Sequence, residues 1–104
     1  MIARIWHGWT TPEQANTYEQ LLNDEIFPSI AAKDIDGYRG IQLLRREHDS
    51  EVEFVTIIRF ESWDAVKQFA GAAYERAHVP DSARAVLSRF DAHAQHYEVR
   101  AHHG

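Results

Sequence analysis

The chain has 104 residues, 44% of them hydrophobic and 26% charged, with 16 acidic side chains against 11 Lys and Arg and a formal net charge of -5. That length suits one globular domain over residues 1–104, and the acidic balance argues against a nucleic-acid or anionic-membrane partner, which needs a basic patch. Cysteine is absent, which removes disulfides, thiolate metal sites and thiol nucleophiles.

The opening MIARIWHGWTT reaches His7 and Gly8 before an apolar run could form a signal-peptide core. No later segment approaches the roughly 20 apolar residues of a membrane span. A cytoplasmic protein is therefore expected. Ile2 to Thr10 is rich in Ile, Trp and Thr and predicts a strand. The following TTPEQ predicts a helix start, with Thr11 as cap, Pro12 at the first helical position and Gln14 closing a capping box. Ala15, Tyr18, Leu22 and Ile26 form the apolar stripe, and Pro28 should kink or end the helix near Ile26.

Two β-rich runs, YRGIQLLRREH and EVEFVTIIRFE, flank the polar break His48-Asp49-Ser50 and predict an antiparallel hairpin. In the second run Val52, Phe54, Ile58 and Phe60 share one face, while Val55 and Ile57 make the middle of the other face apolar as well. Both faces of the sheet should then be covered, one by helices and the other by a second subunit.

Ser62 predicts the cap of a helix from Trp63 to about His78, with Val66, Phe69, Ala70, Ala73 and Ala77 facing inward and Pro80 stopping it. Within it the row Ala70-Gly71-Ala72-Ala73 is too small to fill a core. Either helix and sheet pack close there, or a pocket opens with Tyr74 and His78 on its wall. DSARAVLSRF predicts a short helix and AHAQHYEVRA a last strand. The order strand, helix, strand, strand, helix, strand is that of an α+β, ferredoxin-like sandwich with a four-stranded antiparallel sheet.

Seven histidines raise the question of a metal. A catalytic metal needs about three N or O ligands around one point, whereas His93 and His96 project to opposite faces of a strand and His102 and His103 lie in the tail. No metal and no cofactor are expected. His78 is the leading catalytic candidate, with Tyr74 one helical turn before it. Trp6, Trp63 and Phe69 would stack on an aromatic ligand. Arg4, Arg59 and His7 offer charge for an oxyanion, or pair with Glu53, Glu61 and Glu98 across the sheet.

On the stretches MIARIWHGWT, FVTIIRFESWDAVKQFAG, AHVP and HYEV, the chain resembles the antibiotic biosynthesis monooxygenase (ABM) family over nearly its full length. The resemblance implies a homodimer whose sheets join into a dimeric α/β barrel, with a pocket in each subunit between sheet and helices. Some members oxidise polycyclic phenols to quinones without metal or organic cofactor; others bind and degrade haem. The haem-degrading branch has an Asn on the first strand, a Trp in the second helix and a His at that helix's end. Here His78 corresponds to the His, ARIWHGW has no Asn, and Phe69 stands about where the Trp would. The quinone-forming branch tends to have an Asn where this chain has Ser62, beside Trp63. The expected function is cofactor-independent oxidation of a small aromatic or polycyclic phenol or hydroquinone. In this reading His78 and Tyr74 are catalytic, and Trp6, Trp63, Phe69 and Arg59 bind substrate. The alternatives are a non-catalytic protein holding a small hydrophobic ligand and a haem-binding relative.

Overall fold

The computed structural model describes residues 1–104. Strand β1 (Ile2–Thr10) pairs antiparallel with β3 (Val52–Phe60), and β3 pairs in turn with β2 (Tyr38–Glu47) across the expected hairpin. The His48 N–H closes the turn on the Glu51 carbonyl at 2.9 Å. On the other edge of β1 two short strands share the fourth position. β4 (Arg89–Phe90) takes the end near Gly8, and β5 (Gln95–Glu98) takes the end near Ile2. The order β2-β3-β1-β4, with β5 beside β4 on β1, is the ferredoxin-like antiparallel sheet.

Alternation fixes which side chains meet the helices. Val52, Phe54, Ile58 and Phe60 of β3 are buried, as their spacing predicts. Phe54 and Phe60 are fully enclosed, and each such ring contributes about 1.5–3 kcal/mol over exposure. Two apolar clusters result. Tyr18, Leu22, Phe54 and Ala83 anchor one, and Ile2, Ile58, Phe60 and Val66 the other.

The first helical run begins with a 3-10 turn at Pro12–Gln14. Thr11 makes no side-chain cap; the Gln14 N–H instead donates to the Thr11 carbonyl at 3.1 Å. The run then passes from α1 (Ala15–Leu21) through a π turn, Leu22–Ile26, into α2 (Phe27–Ala32). Pro28 therefore does not end the helix. It lacks an N–H and its ring would strike the carbonyl four residues back. The chain widens by one residue, and the Phe27 N–H reaches the Leu22 carbonyl.

The second helix, α3 (Trp63–Ala70), starts at Ser62, whose hydroxyl accepts from the Ala65 N–H at 3.2 Å. It stops seven residues earlier than the spacing of Ala73 and Ala77 predicts. Gly71 adopts φ 83° and ψ -173°, a conformation closed to side-chain-bearing residues, and residues 72–80 run as turns and extended chain. The row Ala70 to Ala73 is thus not a helical stripe. Only Ala70 is buried, and Gly71, Ala72 and Ala73 are exposed. The segment read as one helix from Asp81 to Phe90 divides into α4 (Asp81–Arg84) and β4, because Arg89 and Phe90 are drawn into the sheet by β1. The last strand is correspondingly shorter than AHAQHYEVRA, and no helix is long and apolar enough to cross a membrane.

Candidate functional site

Inward-facing positions of β1 and β3 supply the floor of a cavity. The register makes them two adjacent cross-strand pairs, Arg4 with Ile58 and Trp6 with Thr56. Tyr18, Leu22, Ile26, Phe27 and Ile30 of the first helical run form the roof, and the widened turn at Leu22–Ile26 decides which of them point down. Phe69, Ala83 and the segment Ala77 to Pro80 close the sides. The cavity volume is about 100 Å³, open at His78, and 11 of the 15 lining residues are hydrophobic.

Arg4 is the charged side chain of this wall. It is 6% exposed and has no carboxylate partner among the ion pairs of a chain with 16 acidic residues. Its Nη1 donates to the Tyr74 carbonyl and lies 3.0 Å from His96 Nε2, and its Nη2 lies 3.5 Å from the Arg76 carbonyl. Its plane lies over Phe69, 5.5 Å from the ring centre. Burial pulls its pKa down to about 10, so the guanidinium stays charged at neutral pH. Because it only donates, His96 Nε2 must be the acceptor, which puts the imidazole proton on Nδ1. Burial and then the Arg4 charge lower the His96 pKa against a weaker opposing pull from Glu75.

Tyr18 is 1% exposed, and burial pushes its phenol above the ordinary range, keeping it neutral. Its hydroxyl has no protein partner. Thr10 Oγ1 is the one fully enclosed side-chain polar atom without a hydrogen bond, so the Tyr18 hydroxyl keeps contact with open space.

The predicted site residues separate into three groups. Trp6, Phe69 and His78 line the cavity, His78 as an exposed residue at its mouth with Nε2 3.3 Å from the Ala70 carbonyl. It is not at a helix end, since the helix has stopped at Ala70. Tyr74 and Trp63 line a second, open depression with Glu75, His93 and His96; the Tyr74 ring lies 5.6 Å from Trp63 and 5.2 Å from His96. Arg59 faces away from both, on the outer face of the sheet, with Nη2 3.3 Å from Gln42 Oε1. The expected pairing of Arg4 with a carboxylate does not occur. His7 does pair with Glu53, at 3.0 Å, and His48 holds the other oxygen of that carboxylate at 2.9 Å. No three His, Asp or Glu side chains converge as a metal site.

Arg4 and Tyr18 are wall residues outside the expected catalytic and substrate-binding set, although the sequence offers Arg4 as a charge for an oxyanion and Tyr18 as one of the aromatics that could line a pocket. Both carried a signal: Arg4 is a charge at an inward position between Ile2 and Trp6, and Tyr18 is a hydroxyl on an apolar helix stripe.

Neither a protein-family model nor a curated protein matches the sequence. Solved structures do. A Bacillus cereus protein provisionally assigned as an antibiotic biosynthesis monooxygenase aligns at 17% identity over 100% of this chain and 95% of its own, with a TM-score of 0.70. The haem degrader MhuD of Mycobacterium tuberculosis, solved with two haems in its active site, aligns at 21% identity over the full length of both chains, TM-score 0.60. Rv0793 of the same organism aligns at 19% identity over 99% of this chain and 98% of its own, TM-score 0.62. At these identities the likeness is one of fold, and the chain has the ferredoxin-like fold of the antibiotic biosynthesis monooxygenase and haem-degrader structures.

Proposed function

We propose that the protein is a cofactor-independent monooxygenase that oxidises a small phenol or hydroquinone with dioxygen. The observation that carries this reading is the apolar cavity between sheet and helices, with few polar groups and an ionisable His78 at its mouth. The scale of the cavity favours one ring. An apolar cavity of about 150 Å³ admits benzene, and this one is about 100 Å³ and open at His78.

His78 accepts the phenol proton. The phenolate gives one electron to dioxygen, and the resulting radical and superoxide couple at a hydrogen-bearing ring carbon, para to the oxygen in a phenol and ortho in a hydroquinone. The peroxide takes up a proton and loses water together with the ring hydrogen, so phenol and O2 yield quinone and H2O. The apolar wall excludes bulk water while the radical pair exists, and Trp6 and Phe69 flank the ring. Tyr74 acts as a positioning residue, holding Arg4 through its carbonyl and His96 through its ring. Trp63 backs that pair. Arg59 has no part in it.

Haem binding is the second reading, supported by the fold shared with the haem degrader MhuD, although a cavity of about 100 Å³ is small beside the about 300–1,000 Å³ of pockets for drug-sized ligands. A carrier that holds the ring without oxidising it is the competing class. Oxygen-electrode measurements over a panel of one-ring phenols and hydroquinones separate them. One O2 consumed per quinone formed is expected for a phenol, with loss of about 10²- to 10⁴-fold in His78→Ala. Binding without oxygen uptake across the panel leaves the carrier, and a stoichiometric haem complex by titration overturns both.

A further inference from the structure

We propose that the cavity selects an anion: Arg4 and Tyr18 together bind the oxygen of a one-ring aromatic oxyanion, a carboxylate or a phenolate. Three observations converge on this. First, the wall is one-sided in charge. Its polar members are Arg4, Tyr18, Thr56 and His78, and no acidic residue lines it, although the chain carries 16. A buried cation without a counter-ion is costly, and the neighbouring segments carry Glu19, Asp24, Glu25, Glu53, Asp64 and Asp81 yet place none of them here.

Second, the hydrogen bonds of Arg4 leave one edge open. Both Nη1 protons are used, by the Tyr74 carbonyl and His96 Nε2, whereas the Nε–Nη2 edge carries only the long 3.5 Å contact to the Arg76 carbonyl. That edge presents two parallel N–H donors, the geometry that grips a carboxylate through both oxygens. Its Nε has no partner, yet Thr10 Oγ1 is the only fully enclosed side-chain polar atom of which that is true. The edge is therefore reachable by a ligand.

Third, the Tyr18 hydroxyl is in the same condition, unpartnered but not sealed, on a side chain that is 1% exposed. It is held neutral by burial and so offers a proton to an anion rather than a second negative charge. The three bonds that Arg4 does make fix it to residues 74, 76 and 96, so the open edge is held in place before a ligand arrives.

The inference rests on the cavity being the ligand site proposed above, but it is read by binding, whereas the monooxygenase reading is read by oxygen uptake. Benzoate and its neutral isostere benzamide are titrated into the protein by calorimetry, with tryptophan fluorescence in parallel. Benzoate should bind at least tenfold more tightly. Tyr18→Phe removes only the hydroxyl and should weaken benzoate about 10-fold, and Arg4→Gln about 10- to 100-fold, the range for hydrogen bonds to a charged group, with a smaller effect on benzamide, whose acceptor is neutral. 4-Nitrophenol, whose ionised form is coloured, should show a lowered ionisation midpoint when bound. A shift without benzoate binding assigns the phenolate as the source of the oxyanion, and benzoate binding without a shift assigns the carboxylate. If Arg4→Gln does not fold, the benzoate and benzamide comparison on the unaltered chain together with Tyr18→Phe decides. Equal binding of benzoate and benzamide with no ionisation shift, or no binding of either anion at millimolar concentration, overturns the proposal.

Discussion

His96 and Glu53 each contribute to how stability responds to acid, in different pH ranges. His96 is lowered from its ordinary 6.5 by burial and then by the Arg4 charge. The native state therefore binds fewer protons than the unfolded one. Stability is full above about 6.5, falls as the unfolded imidazole protonates, and levels off below the native value. Glu53 is lowered from its ordinary 4.5 by hydrogen bonds from His48 and then His7, so its contribution is present above about 4.5 and is lost only as pH falls through its native value. His96→Gln keeps an acceptor for Arg4 but does not titrate. Its thermal midpoint should fall less than that of the unaltered chain as pH is lowered from 7 through the unfolded imidazole's 6.5. Equal slopes between pH 7 and pH 5 would remove His96 from this account. At the same scale His78, Trp6 and Phe69 were legible as cavity residues because ring side chains at those positions suggest a ligand. Of the two roles the sequence offers Arg4, the cross-strand carboxylate pair does not form; its partners are the backbone of Tyr74 and Arg76 and the His96 ring, which the sequence does not place beside it.

Among the elements, strands were easier to read than helix ends. The hairpin break at His48 to Ser50 and the buried face of β3 follow from alternation and turn residues alone. The second helix was overextended because AGAAYERA is made largely of good helix formers, while the stop at Gly71 depends on one backbone conformation. That stop matters to the site: it releases residues 72–80 to run as turns and then extended chain, which brings the Tyr74 and Arg76 carbonyls to Arg4 and His78 to the cavity mouth. An added Cβ at Gly71 meets nothing within 4 Å, so a substitution there is penalised by backbone strain and not by a clash. Gly71→Ala should lower stability by about 1–3 kcal/mol, read by denaturant unfolding, and should weaken ligand binding as well because the segment that fixes Arg4 is displaced. A stable Gly71→Ala with unchanged binding would show that the segment holds its course without the glycine. The π turn answers to the same logic in the first helical run. Pro28 announced an interruption, but not that the chain would absorb it by widening and continue, since that depends on the roof residues packing onto the sheet.

For the molecule as a whole, the outer face of the sheet is the unfinished part. The two core clusters lie on the helix side. On the other side the register aligns Ile5 with Ile57 and Leu44 with Val55, and Leu44, Tyr97 and Val99 are 43%, 52% and 38% exposed. A central apolar patch on a sheet, ringed by Arg59, Arg46, Glu53 and His7, has the layout of an interface with a polar rim. A second copy is the occupant we propose, because the strand is apolar on both sides and the helices of residues 1–104 pack on the other face. A stable contact of this kind buries about 800 Å² on each partner. Sedimentation at micromolar concentration should therefore give twice the 12.0 kDa chain mass. Ile57→Lys, placing a charge at the centre of the patch, should yield monomers with the cavity side of the sheet intact, so that benzoate binding persists while the dimer is lost. A monomer for the unaltered chain, or a dimer that survives Ile57→Lys, would move the interface elsewhere and leave this face to another partner.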